Sequence, residues 1–134
     1  MGNNEVETRR WLAYARSDLD AAQALLKEAA LYARQAGCLA HQAAEKSIKA
    51  ALLFSEITLP RTDDLDTLRN LLPAGWALKA TQPHLASLSV WSVETHCLTH
   101  PPEIVVADAL AAMALAQAVF GSISAEFAGR GLSL

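Results

Sequence analysis

The stretch WSVETHCLTHPPE, Trp91 to Glu103, brings Glu94, His96, Cys97 and His100 together just ahead of a proline pair. Carboxylate, imidazole and thiolate are the side chains that ligate transition metals, and imidazole also moves protons near neutral pH. His96 and His100 stand four apart, the separation that places two imidazoles on one helical face and suits a metal. Three features oppose that reading. Pro101 biases His100 away from helical dihedrals, Cys97 points about 100° away from His96 on a helix, and no third ligand is evident. No metal or other cofactor is expected. The same histidines could act as base and acid while a ribose 2′-hydroxyl attacks its phosphate, a cleavage that needs no metal. Its anionic transition state wants a fixed cation, and residues 80 to 129 hold no Lys or Arg. The favoured reading of the three is structural: His96 lies on a seam with Leu85, Ser89 and Ser92, hydrogen-bonds to a neighbouring helix, and the small residues beside it allow a close symmetric contact. His41 is expected to be a structural imidazole near Gln42 and Glu45, and His84 to be exposed.

These residues must be positioned by helices. The pattern predicts a first helix over about residues 7–29, with Trp11, Leu12, Ala15, Leu19, Ala22, Leu25 and Leu26 on one stripe and Arg16, Asp20 and Lys27 opposite. Asp18 falls inside the apolar arc, where a carboxylate needs a partner. A second helix, about 31–56, supplies one. Leu39, Ala40, Ala43, Ala44, Ser47, Ala50 and Ala51 form a broad face of mostly small side chains, while Gln42, Glu45, Lys46 and Lys49 cluster opposite, so Asp18 is expected to pair with Lys46 or Lys49. In TDDLDTLRNLLPAGW, Thr62 or an aspartate should cap a short helix, and capping outweighs an Asp-rich metal loop on this spacing. A fourth helix is expected over about 83–98, and a fifth over about 103–127 with Leu110, Met113, Gln117, Phe120, Ser124 and Phe127 at helical spacing. The other faces of that last helix are also mostly apolar. A helix apolar all round is covered all round, and in so small a protein the second cover is expected to be another subunit.

The bulk properties agree with a single domain spanning 1–134, its core at about 8–127. Hydrophobic residues make up 52% of the 134-residue chain and charged residues 19%, which leaves little polar surface for a lone protomer. Cys38 and Cys97, without CxxC spacing, read as reduced packing residues. MGNNEVETRR lacks the apolar core of a signal peptide, and the run from Ile104 to Ala125 is mainly alanine interrupted by Asp108, Ser122 and Ser124. A cytoplasmic protein without a membrane span is expected. Residues 1–79 carry ten Lys/Arg and ten Asp/Glu, whereas residues 80–134 carry Arg130 against Glu94, Glu103, Asp108 and Glu126. A surface that grips phosphate must come from the first half.

WLAYARSDLDAAQALL, then HQAAEKSIKAALL, a proline loop and TDDLDTL, resembles the HEPN domain over about Thr8 to Phe127. The most specific element is Gln42-Ala43-Ala44-Glu45-Lys46, followed by Lys49 and Ala50. The resemblance implies an all-α, up-and-down bundle of four to five helices that dimerises through its later helices. It also implies a gene encoded beside a minimal nucleotidyltransferase, in modules many of which are toxin–antitoxin systems. Catalytic members are metal-independent ribonucleases with an Arg, a short spacer and a His. Here Val93-Glu94-Thr95-His96-Cys97-Leu98 puts His96 at the arginine position, and Asp63-Asp64-Leu65 replaces a His-Asp-Leu run. The resemblance therefore implies a homodimeric, non-catalytic or degenerate partner of a nucleotidyltransferase, associated with nucleotide or RNA. The candidate contacts are Lys46 and Lys49 with Gln42 and Glu45, and after them Arg34, Arg61 and Arg69. The alternatives are an endoribonuclease toxin using His96 and His100 as catalytic groups, and a metal-binding protein.

Overall fold

The computed structural model describes residues 3–27, 32–81, 84–89, 91 and 106–132. These residues form six helices: α1 Asn3–Leu26, α2 Ala33–Phe54, α3 Leu65–Asn70, α4 Leu78–Thr81, α5 Ala86–Ser89 and α6 Val106–Gly129, with no strand among the described residues. The all-helical bundle expected from the periodicity is what forms. Its frame is three long helices, with α2 between α1 and α6 and also touching α3 and α5.

The small residues of α2 explain its central place. Ala36, Ala40, Ala43, Ala44, Ser47, Ala50 and Ala51 are all buried, and short side chains let helix axes approach closely. Gly37 marks the closest approach. A Cβ there would run into the six-membered ring of Trp91, so the ring of a residue beyond α5 lies directly on the α2 backbone. On α1, Leu12, Ala15, Leu19 and Ala22 are buried as the stripe predicts, with Trp11, Leu25 and Leu26 at its rim.

Short elements close one end of the bundle. Asp64 caps α3, and its Oδ2 accepts from the Thr67 hydroxyl at 2.6 Å and the Thr67 backbone N–H at 3.0 Å. Those two donors hold the Asp64 carboxyl below its ordinary value of 3.8 against the opposing effect of burial, with lesser help from Ser89 and Arg69. Asp66 Oδ1 accepts from the Leu85 N–H at 2.7 Å, and the Ser89 hydroxyl accepts from the Leu65 N–H at 3.1 Å. An aspartate thus caps α3 as expected, and Asp66 in addition ties α3 to the residue before α5. Phe127 is wholly buried, edge-on to Phe54 at 5.1 Å and to Trp76 at 5.5 Å, and the Arg130 guanidinium lies 4.6 Å from the Trp76 ring centroid.

α2 and α6 end in the same way. Beyond α6, Gly131 adopts φ 85° while the Leu132 N–H reaches the Phe127 carbonyl at 2.9 Å. Beyond α2, the Ile57 N–H reaches the Leu52 carbonyl at 2.9 Å, and the left-handed position is held by Glu56 at φ 60°.

Four expectations need correction. The fourth helix is short: α5 covers Ala86–Ser89, and of the remaining predicted span only His84, Leu85 and Trp91 are described. Leu85 is fully buried in the protomer and Ser89 caps the α3 backbone, so these two residues of the seam assigned to a subunit contact are used inside the chain, while Ser92 and His96 lie outside the described residues. On α6 the core face is Ala109, Ala112, Met113, Ala116, Val119, Ile123 and Phe127, whereas Leu110 is 52% exposed and Gln117 is exposed. The core face is therefore rotated from the predicted row, because alanines pack against the alanines of α2 more closely than leucine or glutamine can. Finally, Cys38 is buried and disulfide-bonded, not the reduced residue that spacing suggested. Bridging depends on Cα separation in three dimensions, which sequence distance does not report. Cys97 lies outside the described residues.

Candidate functional site

The polar cluster predicted on α2 is present. Gln42, Glu45, Lys46 and Lys49 are each half-buried on one side of the helix. Lys46 Nζ donates to Asp18 Oδ2 at 2.6 Å, joining α2 to α1 and providing the partner that Asp18 required. It also sits 5.9 Å from the centroid of the Tyr14 ring, which is 55% exposed. Lys49 Nζ donates to Glu45 Oε2 at 2.8 Å. Both lysines of the element that carries the family resemblance are thus neutralised by carboxylates of the same chain. An anion could use either one only by displacing a short charge-assisted hydrogen bond.

His41 lies behind this cluster with 1% of its surface exposed. Its Nε2 is 3.2 Å from the Asp63 carbonyl, while Nδ1, 3.8 Å from Glu45 Oε1, has no hydrogen-bond partner. The histidine fastens the loop before α3 to α2, the structural role expected of it. His84 is exposed, also as expected. Of the three arginines considered for ligand contact, Arg69 is 8% exposed and bridges Asp66 at 3.1 Å, Arg34 is half-buried and already engaged, and Arg61 is exposed. Among the described residues no group of three or more His, Cys, Asp or Glu could hold a metal ion. His96 and His100, the candidate catalytic pair, lie outside the described residues together with Glu94 and Cys97.

Two basic residues that motif reading passed over line open space. Arg9 and Arg16 of α1, with Leu12, Ala13, Phe120 and Ser124, border a cavity of about 390 Å³ between α1 and α6. A smaller one of about 210 Å³ adjoins it, bordered by Arg16, Asp20, Gln23, Gln117 and Phe120. The sequence signal was faint, because Arg16 reads as an ordinary solvent-face residue until α6 is placed beside it.

The HEPN domain model matches residues 8–123, spanning all of α2 to α5 and most of α1 and α6. This chain belongs to the HEPN family. No curated protein and no solved structure matches it. Membership makes it a nucleotide- or RNA-associated helical protein, and the HEPN element on α2 is the one whose Lys46 is paired with Asp18 of α1.

Proposed function

We propose that this HEPN chain acts as a homodimeric, non-cleaving partner of a minimal nucleotidyltransferase in a toxin–antitoxin-like two-gene module, in association with nucleotide or RNA. The observation that carries the reading is the outer face of α6. Leu110, Ala111, Ala114, Ala118, Gly121 and Ala125 are all exposed and uncharged, although the helix has a mean hydropathy of 1.6 over its most apolar window. Only 33% of that window is buried within the protomer. By length and composition alone such a helix could cross a membrane, but its other side packs onto α2 with seven buried residues, as a core helix does. A second helix of the same kind is the fitting cover, because alanine and glycine permit close backbone approach. The non-cleaving assignment is supported by the sequence: histidine stands where an arginine is expected, and Arg130 is the one Lys or Arg after residue 79.

Light scattering at micromolar concentration tests the assembly. Twice the chain mass is expected, falling to one chain with Leu110→Glu plus Ala114→Glu, and a single-subunit wild type would end the proposal. Co-expression with the nucleotidyltransferase encoded beside it should yield a co-eluting complex without growth arrest. Growth arrest relieved by His96→Ala would instead establish the ribonuclease alternative. A cytoplasmic location accompanies the proposal. Fractionation of cells expressing the chain tests it: recovery from the cytoplasm is expected, and recovery from an oxidising compartment, where disulfides such as that of Cys38 mainly persist, would overturn it.

A further inference from the structure

His41 is enclosed on α2 with 1% of its surface exposed, and both of its ring nitrogens face acceptors. Nε2 lies 3.2 Å from the Asp63 carbonyl, which can only accept, so Nε2 carries the hydrogen in that contact. A neutral imidazole has one N–H and one lone pair. With the hydrogen on Nε2, the lone pair of Nδ1 faces Glu45 Oε1, itself an acceptor 3.8 Å away, and Nδ1 is shielded from solvent without a hydrogen-bond partner. The other neutral tautomer only moves the conflict, setting an Nε2 lone pair against the Asp63 carbonyl. The imidazolium, with an N–H on each nitrogen, satisfies both acceptors.

Glu45 in turn stands between two basic groups. Its Oε1 faces His41, and its Oε2 accepts from Lys49 Nζ at 2.8 Å, with the Glu45 and Lys49 side chains 22% and 15% exposed. His41, Glu45 and Lys49 follow one another at intervals of four residues, which makes a row along one side of α2. With His41 neutral the row has no net charge; with His41 protonated it carries one positive charge, and two cations share a single carboxylate. The ionisable groups on the elements packed against α2 are committed elsewhere. Asp18 of α1 is taken by Lys46 at 2.6 Å, the Asp64 carboxylate by the Thr67 hydroxyl at 2.6 Å, and Asp66 of α3 by Arg69 at 3.1 Å. Asp63 meets the ring through its backbone carbonyl. α5 and the buried face of α6 carry no ionisable side chain. Glu45 is thus the anion that His41 answers to.

We infer that His41 and Glu45 form a proton-operated latch between α2 and the loop that leads into α3. On taking up a proton from water, Nδ1 gains an N–H that donates to Glu45 Oε1 while Nε2–H keeps its hold on the Asp63 carbonyl, so one ring bridges loop and helix. Loss of that proton to water restores the Nδ1 lone pair, frees Oε1 and leaves Glu45 to Lys49 alone. The latch is therefore tighter in mildly acidic solution, within the range where histidine changes charge, and Lys49 then shares its carboxylate. Removing a charge from water is costly, and the Glu45 carboxylate is the group that offsets the cost. The inference stands on this geometry alone and is independent of the dimer and the partner proposed above.

Nuclear magnetic resonance of the intact protein, following the ring nitrogens of His41 from about pH 8 down to about pH 5, tests this. At the upper end the hydrogen should sit on Nε2, and Nδ1 should gain its own as the pH falls. Glu45→Gln should lower the proton affinity of His41 about tenfold, the worth of one charge-assisted hydrogen bond. Lys49→Met, which removes the competing cation, should raise it. The exposed His84, read in the same spectra, should respond to neither change. A His41 ring that stays neutral throughout, or that titrates identically in all three proteins, overturns the inference. Thermal melts give an independent reading. Glu45→Gln should lower the melting temperature by a few degrees more at about pH 5.5 than at about pH 8, and the difference should vanish when both proteins carry His41→Gln. A cost of Glu45→Gln that is the same at both pH values also overturns it, since a merely structural histidine would give that result.

Discussion

Replacing Asp18 with asparagine isolates the ion pair that joins the first two helices. Lys46 Nζ and Asp18 Oδ2 are 2.6 Å apart, with side chains 28% and 17% exposed. At an effective dielectric of about 20, two unit charges at that distance attract by about 6 kcal/mol. Desolvation of two half-buried ions and the lost rotamers of lysine offset most of this. The net coupling should be about 1 to 2 kcal/mol, the worth of a hydrogen bond between charged partners. In a chain of 134 residues that corresponds to a melting temperature lower by about 3–8 °C. Urea unfolding of the wild type, Asp18→Asn, Lys46→Met and the double variant gives the coupling directly, provided the m-value stays constant. Asp20→Asn is the internal control. It removes the same charge two residues away from a 3.6 Å pair whose side chains are both 67% exposed, and should cost no more than about 0.5 kcal/mol. A coupling below about 0.5 kcal/mol, or equal losses for Asp18→Asn and Asp20→Asn, would refute the claim that Lys46 is held by α1, and would return it to the pool of ligand contacts.

Other perturbations probe the close approach, the cap and one helix end. Gly37→Ala should lower stability by about 1–3 kcal/mol despite alanine's better helix propensity, because the added methyl meets the Trp91 ring; a thermal melt at or above wild type would show that the ring moves away freely. Asp64→Ala should cost about 1 kcal/mol at pH 7. Since the folded carboxyl titrates below its ordinary 3.8, its contribution is fully present above that value and is lost as pH falls through the lower folded one. The gap in melting temperature between wild type and variant should therefore narrow below about pH 4, and a gap that widens in acid would contradict the cap assignment. Glu56→Gly should stabilise the protein by about 1 kcal/mol by relieving the left-handed backbone at φ 60°, as measured by a raised urea midpoint; a lower midpoint would place the value of Glu56 in its side chain.

Periodicity was enough to place most helices and to choose the face of α1, because a 3.6-residue repeat of apolar side chains leaves one way to bury them. It also exposed Asp18 as a carboxylate in need of a cation, and the small-residue face of α2 as the place where helices meet. The same reasoning misled on α6. There alanine and leucine lie on every side, so hydropathy alone does not choose the core face, and the fit of alanines against α2 decides it. The seam of Leu85 and Ser89 looked like a subunit contact because each was judged from its own helix, whereas the Leu65 backbone N–H that uses Ser89 comes from α3.

The chain's own letters determined the all-α class, the HEPN element on α2, the acidic cap of α3 and the shortage of positive charge after residue 79, since these follow from local pattern and count. Tertiary structure decided which charge is paired across helices and which residues border open space. Lys46 of α2 is held by Asp18 of α1, while Arg9 and Arg16, which have partners of their own, line a groove that exists only because α6 lies beside α1. The physical reason is that ion pairing and cavities depend on distances between segments far apart along the chain, and one-dimensional spacing carries that information only within a helix.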